Sequence, residues 1–160
     1  MSAADIIASC EAQFFAVGHD CNEFLKAVAG DAFNNQPFAG NADQIIAFLQ
    51  DTANGWTDLN SDIGQAIASA KVGAFVAAGM TSAALGSSNG HVGIVAGLDG
   101  QLSGTVVVPL GYARSLADAA LPQGQVGPNE AFKARLSGTF PAADVRAGNV
   151  LYFSKATEKF

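Results

Sequence analysis

A change of period at Lys71 constrains this chain more than any other feature of its sequence. Before it, apolar residues recur at three- and four-residue intervals. Ile6, Ile7, Cys10, Phe14 and Val17 predict an amphipathic helix over 3–17, and Phe24, Leu25 and Val28 mark one face of a second, beginning at Cys21. A third is expected over 41–50, with Ile45, Ile46, Phe48 and Leu49 inward, and a short fourth over 61–70, capped by Ser61. After Lys71 the apolar residues gather into short runs: GAFVAAG (73–79), HVGIVAGL (91–98), GTVVVPL (104–110) and VLYF (150–153) read as strands. Asp99-Gly100 is a hairpin signal between the second and third runs, and TSAALGSSNG at 81–90 reads as a polar surface loop. Helices first and antiparallel strands afterwards predict an α+β fold, the N-terminal helices packed on a small antiparallel sheet. Residues 113–148 show no sustained period. No repeat or linker divides the chain, so a single domain over 1–160 is expected.

Charge narrows the partners. The net charge is −6, and the eight Lys and Arg residues are dispersed, so nothing supplies the concentrated basic surface that nucleic acid or an anionic membrane requires. The most apolar run, VGAFVAAGM at 72–80, is too short to span a bilayer, so membrane insertion is not expected. The first residues carry Asp5 and Glu11 and no base before Lys26, unlike a secretory signal, so synthesis in the cytoplasm is expected. Nothing in the composition demands a dimer, and a monomer is expected.

Two cysteines do not make a disulfide framework. Cys10 lies on the apolar stripe of the first helix and reads as a small core hydrophobe. Cys21 stands differently. Asp20 and Glu23 have the spacing of a capping box, which makes Asp20 the N-cap and Cys21 the first helical residue. There, unpaired backbone N–H groups and the positive end of the helix dipole favour thiolate over thiol, while the Asp20 carboxylate opposes it. The same amides can hydrogen-bond an oxyanion on an attacked carbonyl. A neighbouring imidazolium would tip the balance toward thiolate. His19 falls outside the helix and reads as an exposed loop residue. His91 opens an apolar strand directly after Asn89-Gly90, where its ring can face a cleft while Val92, Ile94 and Val95 build the sheet.

A cysteine at a helix start, followed far downstream by a histidine at a strand start, is the order of a papain-like constellation. HDCNEF (19–24) and GHVGIV (90–95) resemble the D-C-[ST]-G-[FL] and G-H-V-G-[IVL] motifs of NlpC-type papain-like cysteine peptidases. The compact layout and the GNA segment at 40–42 are most similar to the small peptidoglycan amidase effectors of type VI secretion systems. The resemblance covers roughly residues 18–112. It implies a papain-like fold and a cofactor-free cysteine amidase or endopeptidase that cuts the peptide stem of bacterial cell wall. Cys21 would be the nucleophile, its own N–H part of the oxyanion hole, and His91 the general base. It also implies secretion, action in the periplasm of target bacteria, and a cognate immunity protein that plugs the cleft. Two departures stand out. Asn22-Glu23 replaces the family's small pair, and no polar side chain follows His91 on the next strand, where Thr105 comes too early and Tyr112 too late. A backbone carbonyl at Pro109 or Leu110 is then the expected acceptor for the imidazole N–H.

Three other readings compete. Zinc bound by Cys10, His19, Cys21 and His91 lacks any close ligand pair, and no metal is expected. A non-catalytic module on the same fold would leave Cys21 structural and use the cleft for a glycan, peptide or protein. A deamidase or acyltransferase would keep the cysteine chemistry and change the acceptor.

Overall fold

A computed structural model of the chain describes residues 1–17, 20–114 and 140–159. The helical half forms as its periodicity predicts. Helix α1 spans Ala3–Ala16 and starts from a reciprocal box between Ser2 and Asp5. Helix α2 spans Cys21–Ala32, α3 spans Ala42–Gln50 behind an Asn41–Gln44 box, and α4 spans Ile63–Lys71. Two caps differ from expectation. Asp62, not Ser61, caps α4, because its carboxylate takes both the backbone N–H and the side-chain amide of Gln65. Asp20 caps α2 through the Asn22 N–H at 3.0 Å, but Glu23 turns outward to Lys26 Nζ at 2.6 Å, so half of the expected box is replaced by an ion pair.

The strands are β1 (Thr57–Asp58), β2 (Phe75–Met80), β3 (His91–Val95), β4 (Gln101–Ser103), β5 (Val106–Val108), β6 (Gly111–Tyr112) and β7 (Leu151–Lys155). Five of them form an antiparallel sheet in the order β1-β7-β2-β3-β6, while among the described residues β4 and β5 pair only with each other. The hairpin turn therefore sits at Gly104-Thr105 rather than at Asp99-Gly100. Gly104 has φ +65°, a conformation that favours glycine, and it joins the two paired runs directly. The 81–90 loop contains a one-turn helix, α5 (Ser82–Leu85), capped by Thr81. Within the unreadable 113–148 stretch, residues 140–148 hold α6 (Ala142–Ala147), and residues 115–139 lie outside those described.

Alternation along the strands divides the interior. Phe75, Ala77, Val92, Ile94 and Phe153 join α1, α2 and α3 in one apolar cluster. Val76, Ala78, Met80, Val95 and Tyr152 join Ala66, Ala70, Phe140 and Val145 in a second, on the other face. The first cluster is anchored by the rings of Phe33, Phe38, Trp56 and Phe75, with neighbouring centroids 5.4–6.0 Å apart. Helix α3 sits close on the sheet because Gly79 carries no side chain; a Cβ there would lie 2.7 Å from Ile46 Cγ1.

Two glycine substitutions test this packing in opposite directions. Gly30→Ala, in α2 with nothing within 4 Å of the new methyl, should raise unfolding free energy by about 0.5–1 kcal/mol. Gly79→Ala should lower it by about 1–3 kcal/mol, because buried Ile46 has no room to retreat. Urea denaturation of the two variants reads both values.

Candidate active site

Cys21 opens α2 with only 9% of its surface exposed. Its thiol donates toward the Asn22 side-chain carbonyl oxygen at 3.5 Å, and the backbone amide of Val92, the second residue of β3, lies near enough to the sulfur to lower its pKa. The start of α2 is thus docked on the start of β3. That places Cys21 beside the backbone that carries His91.

Burial is the largest influence on the thiol and pushes its pKa above the ordinary value. The Val92 amide pulls it down, the Asp20 carboxylate pushes it up, and the amides of Asn22 and Cys21 pull it down again. The helix terminus and Asp20 oppose each other at this sulfur, and burial, which has no local sequence signature, adds to the Asp20 side. A helix N-terminus favours a nearby anion by about 0.3–1 kcal/mol, whereas stripping water from an unpaired charge costs several. Desolvation wins. At neutral pH the resting residue is a thiol.

His91 begins β3 opposite Met80. Alternation puts Val92 and Ile94 on the α2 side of the sheet, and the imidazole takes the other side with Met80 and Val95. Its ring packs edge-on against Phe140, 4.9 Å between centroids, and Nε2 is buried. His91 is half-buried, its ring against one contributed by the C-terminal segment. Cys21 and His91 therefore meet at one end of β3 through the backbone, with their side chains directed to different faces.

The expected carbonyl acceptors are not at this end. In the β3–β6 register Ile94 faces Tyr112 and Val95 faces Gly111, and the Leu110 carbonyl accepts the Ala96 N–H at 2.9 Å. Pro109 and Leu110 therefore sit at the far end of β3, roughly 16 Å from His91 at the usual strand rise. Antiparallel pairing runs the next strand toward His91 as its numbers increase, so the register leads past Tyr112 to Arg114. Tyr112 donates its hydroxyl to Glu11 Oε1 at 3.2 Å, on the α1 side. Arg114 is buried, with its guanidinium 4.5 Å from the Phe14 ring centroid.

Cys10 is fully buried in the first cluster, and both cysteines are free thiols. His19 lies outside the described residues. Among those described, no three His, Cys, Asp or Glu side chains gather as metal ligands, and no helix is long and apolar enough to cross a membrane. Sequence reasoning missed Phe140 and Asp43. Asp43 holds the 81–90 loop by accepting the N–H and hydroxyl of Ser82. Neither carries a local signature, since Phe140 follows a patternless stretch and Asp43 looks like any acid in a first helical turn. No protein-family model matches the sequence, and no curated protein matches it.

The state of the thiol is directly measurable. Alkylation of Cys21 by iodoacetamide should be slow at pH 7, and its rate should still be climbing at pH 9, the ordinary value above which burial lifts the group. A plateau below pH 8 would show a thiolate already stabilised in the resting protein.

Proposed function

We propose that this protein is a cysteine amidase that hydrolyses an amide bond in the peptide stem of bacterial peptidoglycan. One observation carries the reading: Cys21, the first residue of α2, lies beside the start of β3, where the amide of Val92, the residue that follows His91, pulls the thiol pKa down. This juxtaposition accords with the motif resemblance around HDCNEF and GHVGIV.

In the proposed cycle, His91 takes the thiol proton and Cys21 Sγ attacks the scissile carbonyl carbon. The resulting oxyanion is met by the Cys21 N–H at the helix start. Collapse breaks the C–N bond, and the amine departs with the proton held by His91. Water then attacks the thioester, giving up a proton to His91, and the stem carboxylate leaves as the thiol is restored. Proton transfer requires the imidazole to leave Phe140 and turn about its Cα–Cβ bond toward the Val92 side. The resting pair is thus latent, which accords with a neutral thiol. By the same resemblance, we read the protein as an antibacterial toxin delivered by type VI secretion. It would act in the target periplasm and be held in check by an immunity protein that fills the cleft.

A second reading is favoured by two observations together. With the thiol neutral and the imidazole packed on Phe140, the fold also suits a non-catalytic module that binds glycan, peptide or protein.

Purified sacculi separate the two. Wild type should release muropeptides with a new free amine, and Cys21→Ala and His91→Ala should each reduce the rate by about 10³-fold or more. His19→Ala should retain most activity. Undiminished release by either of the first two variants, or none by wild type, would sink the amidase reading and leave the binding module.

A further inference from the structure

The loop at 81–90 leaves β2 at Met80 and returns to β3 at His91, and these two residues face each other across the strands. Its first turn is α5, where Thr81 Oγ1 accepts the Ala84 N–H at 3.2 Å. Beyond that turn Ser87, Ser88 and Asn89 are exposed. A loop of this composition would ordinarily be free to swing, and one beside a candidate catalytic histidine would be expected to act as a lid. The contacts at its neck argue otherwise.

Asp43, in the first turn of α3, reaches the start of the loop with both oxygens. Oδ1 accepts the Ser82 backbone N–H at 2.8 Å, and Oδ2 accepts the Ser82 hydroxyl at 2.5 Å. The same carboxylate also presses on the end of the loop. A Cβ built on Gly90 would lie 2.5 Å from Asp43 Oδ1, 3.0 Å from the Met80 carbonyl oxygen and 3.3 Å from the Ser82 nitrogen. Only a residue without a side chain lets the returning chain pass so near. One carboxylate therefore touches the loop where it departs and where it comes back, one residue before His91.

We propose that Asp43 is a positioning residue for His91: it closes the neck of the 81–90 loop and fixes the backbone from which the imidazole projects. This rests on the reading of His91 as general base. The loop becomes a fixed wall of the site, not a lid, and the movement needed for catalysis is confined to the ring of His91. The Ser82 hydroxyl, and then its N–H, hold the Asp43 carboxyl below its ordinary value, so the latch is a full anion at neutral pH. Asp43 acts on His91 through the chain. The Gly90 side of the backbone faces α3, and the imidazole lies on the opposite side with Phe140.

Three variants and two readouts test this. Asp43→Ala removes both bonds, and Ser82→Ala removes only the hydroxyl bond. Asp43→Asn keeps an oxygen for the Ser82 N–H and offers an amide N–H to the hydroxyl. On sacculi, Asp43→Ala should lower kcat by roughly 100-fold with KM within about twofold, and Asp43→Asn should recover most of the loss. A purely structural role would not produce that split with rescue. The second readout is independent of turnover: the imidazole resonances of His91, assigned by their loss in His91→Ala, should shift in Asp43→Ala and stay close to wild type in Asp43→Asn. If Asp43→Ala fails to fold, Ser82→Ala should show the same changes at smaller size. Unmoved resonances and an unchanged kcat in a folded Asp43→Ala overturn the inference. A wild type without turnover sinks the amidase reading alone, and the resonances then decide whether Asp43 positions His91.

Discussion

Strand β2 has no face to give to solvent. All six of its residues are buried, and alternate side chains serve two separate apolar clusters. This obligation propagates to its neighbours, because antiparallel pairing fixes which face each partner presents. Met80 belongs to the second cluster, so His91, paired with it, is drawn to the same side. Gly79 faces α3, and so Val92 opposite it faces the helices and offers its backbone to Cys21. The candidate site is the terminus of this two-sided arrangement. Each chemical group in it is placed by a core that would exist without it.

Cys21 shows how position and environment can oppose each other. The helix start that makes a cysteine reactive in isolation also docks it on a strand, and docking removes the water that a thiolate needs. The Val92 amide compensates only in part. Asp20 caps the helix through the Asn22 N–H and so commits an amide adjacent to the thiol. Under the proposed amidase reading, activation in such a site comes from a partner that arrives, and the imidazole resting on Phe140 is the candidate.

Legibility in the sequence followed the length scale of each determinant. Helices α1 to α3 and the long strands were readable because their apolar period repeats over several turns or pleats. The Asp20 cap was readable because it is a local backbone contact. Asp62 displaced Ser61 as the α4 cap because a carboxylate accepts two bonds from Gln65, a competition that spacing alone does not rank. β1 and β6 contain two residues each, too few for a period, and exist only because β7 and β3 offer them edges. In the candidate site, Cys21 and His91 were nominated from local motifs. The face of the sheet that His91 occupies depends on Met80 and Phe140, and the far-end position of Pro109 and Leu110 depends on strand register. Neither is written within a few residues of the histidine.

β7 occupies the interior of the sheet between β1 and β2, yet it is the last strand in the chain. During synthesis, β2 can pair with β3 as soon as both have emerged, but its other edge has no partner until residue 155 is available. Both apolar clusters need β7 as well, the first through Phe153 and the second through Tyr152. Folding is therefore gated by the slowest kind of contact, a long-range strand pairing that closes about half of the chain into one loop. A nascent or truncated chain would expose an apolar strand edge, the form of the molecule most open to capture by chaperones or to aggregation. The packing of His91 on Phe140 would form late as well, since Phe140 is delivered by the same closing segment.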